Sequence, residues 1–156
     1  MNFFKIAALA AVVVSGSAMA GQFPQIGNGN GHGHGHGDGG WGNQGPESTL
    51  KVYQNGVSNT ATALQADARK STVDIAQIGS RNGADVGQGA DDATITLVQR
   101  GRGNQAVIDQ WAAESSTIDV YQRGAFNGTN VNQTAADSTV ELVQIGFGNY
   151  ADLSQH

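Results

Sequence analysis

From Ser48 onward the chain repeats itself. The pattern S-x5-Q-x-G-x2-N-x-A-x3-Q starts at Ser48, Ser71, Ala93, Ser116 and Ser138, in steps of 23, 22, 23 and 22 residues. A unit this short cannot bury an apolar face by itself, so its core must be completed by the units before and after it. Five such units, 48–70, 71–92, 93–115, 116–137 and 138–156, fill the rest of the sequence.

Inside each unit the recurring positions share one parity, as they do when alternate side chains of a β-strand face the same way. The first strand would point Ser48, Leu50, Val52 and Gln54 inward in unit one, with Ser71 to Gln77, Ala93 to Gln99, Ser116 to Gln122 and Ser138 to Gln144 as equivalents. The second strand would contribute Asn59, Ala61, Ala63 and Gln65, then the sets opened by Asn82, Asn104, Asn127 and Asn149 and closed by Gln88, Gln110, Gln133 and Gln155. Between the strands lie four residues with glycine second, at Gly56, Gly79, Gly101, Gly124 and Gly146, where a sharp turn needs a permissive φ. Four or five residues join one unit to the next, enough to climb a single layer. The expected fold is therefore all-β: a five-rung, two-sheet parallel β-solenoid of strand-turn-strand repeats, about 24 Å along its axis at ~4.8 Å per rung.

Inward Ser, Gln and Asn would be costly if buried alone, at roughly 1–3 kcal/mol for each unpartnered group. With the same residue above and below, each amide can donate in one direction and accept from the other, as in cross-β ladders. Ala93 replaces Ser in unit three and Thr129 replaces the small Ala in unit four, and both are expected to weaken their ladders slightly. Unit one and unit five match the motif fully, so neither has the atypical polar character of a capping repeat. Both outer rungs would present open strand edges that another copy of the chain satisfies. A contact of that head-to-tail kind does not close and generates a filament. Glycines and aspartates concentrate in the middle units at outward or linking positions. Gly83, Asp85, Gly87, Asp91, Asp92, Asp119 and Gly128 are candidate gatekeepers that slow premature assembly.

The first 47 residues differ in kind. Lys5, the apolar run Ile6 to Val14 and Ala18-Met19-Ala20 form the charged, hydrophobic and cleavage parts of a secretory signal over residues 1–20. Residues 21–47 carry glycine at nearly every second position and read as a disordered Gly/His-rich leader, because they bury too little apolar surface to offset ordering. Within it His32, His34 and His36 offer imidazoles, but a glycine tract pre-arranges no ligands, and no metal site is expected. No cofactor is expected either. The chain has no cysteine, its net charge is -5, and it has no cluster of Lys and Arg of the kind nucleic-acid binding requires. Uncharged amides repeated five times, with no nucleophile or base beside them, do not make a catalytic site, so an enzyme is not expected.

The five copies of the motif, the Gly-rich leader, the segment Gly83 to Asp92 and the phrase Asp109-Gln110-Trp111 resemble the curlin-repeat family. That resemblance implies export through the periplasm and passage through an outer-membrane curli secretion pore addressed by the leader, with periplasmic or surface accessory factors. It further implies nucleation by a minor curlin subunit and growth into an extracellular amyloid fibre (a fimbrium) serving adhesion and biofilm matrix, with host matrix proteins as further candidate partners. It assigns nucleation to the outer repeats, through Ser48, Gln54, Asn59, Gln65, Ser138, Gln144, Asn149 and Gln155. The alternative is a soluble secreted binding module such as an ice-binding solenoid, since Thr49, Thr72, Thr94, Thr117 and Thr139 would form one outward threonine column. A second such column is missing, because the next outward positions are Lys51, Asp74, Thr96, Asp119 and Glu141.

Overall fold

The computed structural model describes residues 48–66 and 68–156. The signal segment, the leader and its three histidines lie outside the described residues. Ten strands alternate between two sheets: β1 (Thr49–Val57), β2 (Thr60–Gln65), β3 (Thr72–Ser80), β4 (Gly83–Gly89), β5 (Thr94–Arg102), β6 (Gln105–Trp111), β7 (Thr117–Ala125), β8 (Gly128–Gln133), β9 (Thr139–Phe147) and β10 (Tyr150–Gln155). The odd strands form one parallel sheet in the order β1-β3-β5-β7-β9, and the even strands form the other in the order β10-β8-β6-β4-β2. One unit is one rung. Registry is unbroken, with Gln54 opposite Gln77, Gln77 opposite Gln99, Gln99 opposite Gln122 and Gln122 opposite Gln144.

The core lies between the sheets and divides its volume unequally. The odd sheet contributes Val73, Ile75, Ile95, Leu97, Ile118, Val120 and Val140, whereas the even sheet supplies Ala61, Ala63, Ala84, Val86, Ala106, Ile108 and Val131. Large residues facing small ones allow the two pleated faces to interdigitate closely. A second, smaller cluster of Ala90, Ala93 and Ala113 fills the arcs that join rungs. In rung three Ala93 therefore belongs to an apolar contact, and the Ser71 hydroxyl beside it still donates to the Ala90 carbonyl at 2.6 Å and accepts from the Ala93 N–H at 3.2 Å.

The turn differs from the four-residue loop expected from spacing. The odd strands run straight through the glycine, which sits inside the strand at φ between 119° and 127° in all five rungs. The chain reverses two residues later, at Ser58, Arg81, Gly103, Phe126 and Gly148, where φ lies between 56° and 67°. Three of those five are not glycine, and a left-handed conformation costs an ordinary residue roughly 1–2 kcal/mol. Rung-to-rung hydrogen bonds hold it in place: Arg81 donates its N–H to Val57 O at 3.0 Å, Gly103 to Ser80 O at 2.9 Å, Phe126 to Arg102 O at 2.9 Å and Gly148 to Ala125 O at 3.0 Å. The interior glycines have a separate reason to be glycine. A Cβ on Gly79 would lie 2.0 Å from the Gly101 carbonyl oxygen, and one on Gly101 would lie 1.9 Å from that of Gly124.

Candidate assembly site: amide ladders and the outer rungs

Three columns of side-chain amides run the length of the stack. In the first, each Gln of the odd sheet donates from Nε2 to Oε1 of the next rung: Gln54 to Gln77 at 2.6 Å, Gln77 to Gln99 at 2.9 Å, and Gln99 to Gln122 and Gln122 to Gln144 at 2.8 Å. The same nitrogen reaches across the core to a backbone carbonyl of the opposite sheet, as from Gln77 to Thr60 O and from Gln99 to Gly83 O, both at 2.9 Å. Alanine at positions 61, 84 and 106 leaves room for that reach. The second column is Gln65 to Gln88 at 2.8 Å, Gln88 to Gln110 at 3.1 Å, Gln110 to Gln133 at 2.8 Å and Gln133 to Gln155 at 3.1 Å.

The asparagine column runs the other way. Asn82 donates from Nδ2 to Asn59 Oδ1 at 3.2 Å, Asn104 to Asn82 at 3.2 Å, and Asn127 to Asn104 and Asn149 to Asn127 at 3.0 Å. Each Oδ1 also accepts the backbone N–H of the Asn above it, at 3.1 Å for both Asn82 and Asn104. Backbone partners thus fix the polarity of the columns: the nitrogens of Gln77, Gln99, Gln122 and Gln144 in one and of Gln65 and Gln88 in the other face carbonyls, and the Asn oxygens face N–H groups. Asn nitrogens also brace the strand-interior glycines, with Asn59 donating to Gly79 O at 3.1 Å and Asn127 to Gly146 O at 3.2 Å. Among the described residues, no fully buried side-chain nitrogen or oxygen lacks a partner.

Serines form a shorter column in the arcs. Ser48 donates to Ala68 O, Ser116 to Ala135 O at 2.9 Å and Ser138 to the same carbonyl at 2.7 Å. Thr129 corrects the expectation of a weakened ladder. Its hydroxyl accepts from Gln122 Nε2 at 3.1 Å and donates to Gln144 Oε1 at 2.8 Å, so the substitution adds a bridge between two amides of the opposite sheet. The glutamines facing it across the core, Gln122 of its own rung and Gln144 of the next, were the available signal, but spacing along one strand does not show them.

The gatekeeper candidates fall in three environments. Gly83, Gly87 and Gly128 lie under side chains of the adjoining rung: a Cβ at Gly83 would meet Gln105, one at Gly87 would meet Asp109 and Trp111, and one at Gly128 would meet Tyr150. Gly87 has outward parity yet is buried, because Trp111 lies across it and Gly89. Asp85 and Asp119 are exposed on the outer faces of the even and odd sheets. Asp91 and Asp92 shape an arc, where Asp91 Oδ1 accepts the Arg69 N–H at 2.8 Å and Asp92 adopts φ 51°.

The outer rungs expose what the inner ones bury. Among the described residues β1 and β9 edge one sheet, and β2 and β10 edge the other. Gln77, Gln99 and Gln122 are fully buried, whereas Gln54 is only half-buried. On rung five Val143, Ile145, Phe147 and Tyr150 are exposed, and Phe147 packs edge-on against Phe126 with ring centroids 5.4 Å apart. The threonine column is in register from Thr49 to Thr139, but its neighbour reads Lys51, Asp74, Thr96, Asp119, Glu141, so no flat two-column threonine array forms.

Comparison with known proteins places these rungs in company. The curlin associated repeat family model matches residues 45–79 and 90–124. The chain is similar to the major curlin subunit of Salmonella typhimurium (strain LT2), with 63% identity over 91 residues, covering 58% of this chain and 57% of that protein. It is also similar to the major curlin subunit of Escherichia coli (strain K12), with 52% identity over 92 residues, covering 59% of this chain and 58% of that one. The matched stretch thus spans little more than half the length of these relatives.

Proposed function

Because the chain belongs to the curlin-repeat family, we propose that it is the structural subunit, not an enzyme, of an extracellular amyloid fibre of the curli type, and that copies add head to tail as a continuation of the stack. The observation that carries this reading is the polarity of the amide columns. Continued past rung five, the pattern points the N–H groups of Gln144 and Gln155 and the Oδ1 of Asn149 at the next layer. Continued below rung one, it points the Oε1 atoms of Gln54 and Gln65 and the Nδ2 of Asn59 outward. These two faces complement each other in all three columns. Two like faces would oppose donor to donor and acceptor to acceptor, leaving several amides without partners at roughly 1–3 kcal/mol each.

In this reading the ladder residues of the outer rungs template the first contacts. The Asp and Gly positions at 83, 85, 87, 91, 92, 119 and 128 temper the middle of the stack. Export through the periplasm, a secretion pore with accessory factors, a minor nucleating subunit and a role in adhesion and biofilm matrix, with host matrix proteins among its contacts, complete the proposal. The resemblance to the family supports them.

The test is seeded growth. The chain from Gly21 onward is followed by thioflavin fluorescence with and without fragments of preformed fibre, and the product is examined by fibre diffraction. A lag abolished by seeding and a meridional spacing of ~4.8 Å are expected. A protein that stays monomeric and β-rich at all concentrations would overturn the proposal.

A further inference from the structure

Inward side chains are so alike from rung to rung that they cannot tell one rung from another. A copy docking with its first rung displaced, second rung against the fifth of its neighbour, would still match Gln to Gln and Asn to Asn. Discrimination must come from outward columns, and one of them has the required asymmetry. On the outer face of the odd sheet Lys51, Asp74, Thr96, Asp119 and Glu141 stand in strict register, with one cation at one end of the stack and a carboxylate at the other. Lys51 and Glu141 are both exposed.

We propose that Lys51 of one copy pairs with Glu141 of the next across every subunit junction, and that this ion pair selects the full-register joint; the inference rests on the head-to-tail reading above. Stacking β1 of an incoming copy on β9 continues the register seen within the chain and sets Lys51 directly beside Glu141 at the ~4.8 Å strand spacing. Lys51 then lies between two carboxylates, Glu141 of the neighbouring copy and Asp74 of its own second rung. The slipped joint instead sets Glu141 against Asp74. Opposite charges directly across a strand pair attract, and like charges repel. Apolar neighbours agree with the full register: it places Val143 beside Tyr53 and Phe147 beside Val57, all four exposed in the single chain.

Glu141→Lys separates this junction from the fold. Within one copy position 141 is opposite Asp119, so the substitution replaces a like-charge neighbour with an opposite one, while across the junction it opposes Lys51. Glu114→Lys makes the same change of net charge at an exposed arc position inside the chain, away from both outer rungs. Elongation of seeds by matched monomer, measured at low salt, should slow by roughly threefold or more for Glu141→Lys relative to Glu114→Lys. The gap should close at high salt, where exposed pairs are screened. Equal rates for the two variants would overturn the ion pair while leaving head-to-tail growth intact. If seeds of the unaltered chain recruit no unaltered monomer, the head-to-tail reading fails and the pair falls with it.

Discussion

Gln99 shows what a polar residue does in the middle of this core. It is wholly buried, donates to Gly83 O and Gln122 Oε1, and accepts from Gln77. Replacing it by leucine keeps the volume but strands an N–H of Gln77 and the Oε1 of Gln122. Two such groups cost about 2–6 kcal/mol, partly offset by the apolar burial of leucine. Gln99→Leu should therefore lower the denaturant midpoint at which assembled fibres dissolve, and so should Gln54→Leu, which in the proposed fibre lies between Gln77 of its own chain and Gln144 of the neighbouring copy. Small shifts for both would mean that the amides are passengers. The Gln and Asn columns were legible because their spacing equals the repeat. Thr129 was not, since its partners Gln122 and Gln144 belong to the opposite sheet, and a spacing along one strand carries no information across the core.

Each rung is built of strands longer than the motif suggests, and the glycine lies within one of them. The placement of the true reversal was the part of the turn that sequence concealed. Gly103 and Gly148 occupy it, but Ser58, Arg81 and Phe126 occupy it as well, and bonds to the rung below hold Arg81 and Phe126 left-handed. Glycine frequency points to Gly101, where close approach of backbones demands it, and passes over the residue before each Asn, where tertiary bonds impose the conformation. Gly101→Ala and Gly103→Ala should consequently behave differently. The first drives a methyl into the Gly124 carbonyl and should abolish seeded growth, whereas the second meets only the movable ring of Phe126 and should cost about 1–2 kcal/mol of fibre stability. Similar losses for both, read from growth rate and denaturant resistance, would argue against the backbone contact as the reason for the glycine column.

The full stack of five rungs followed from counting repeats, since arcs of four or five residues can reach no farther than the adjoining layer. Its rate of assembly is a separate property, governed by charge and by how readily the middle rungs collapse. The substitutions Asp85→Asn, Asp91→Asn and Asp92→Asn keep the geometry available: an amide oxygen can still accept the Arg69 N–H, and Asn tolerates the left-handed conformation of residue 92. The triple variant should shorten the lag of unseeded assembly. An unchanged lag would remove these aspartates from the list of gatekeepers and leave solubility as their role.

The arcs joining rungs carry one more consequence. Inside a chain, neighbouring layers are held by hydrogen bonds and also by a covalent strap, whereas between chains in the proposed fibre only the bonds and side chains remain. A filament pulled along its axis is thus a series of tethered layers interrupted by an untethered joint about every 24 Å. Tension that opens layers within a subunit leaves them leashed and able to close, but tension that opens a joint separates the pieces. Both new faces are the ones on which growth occurs, so a broken filament has two additional sites of extension.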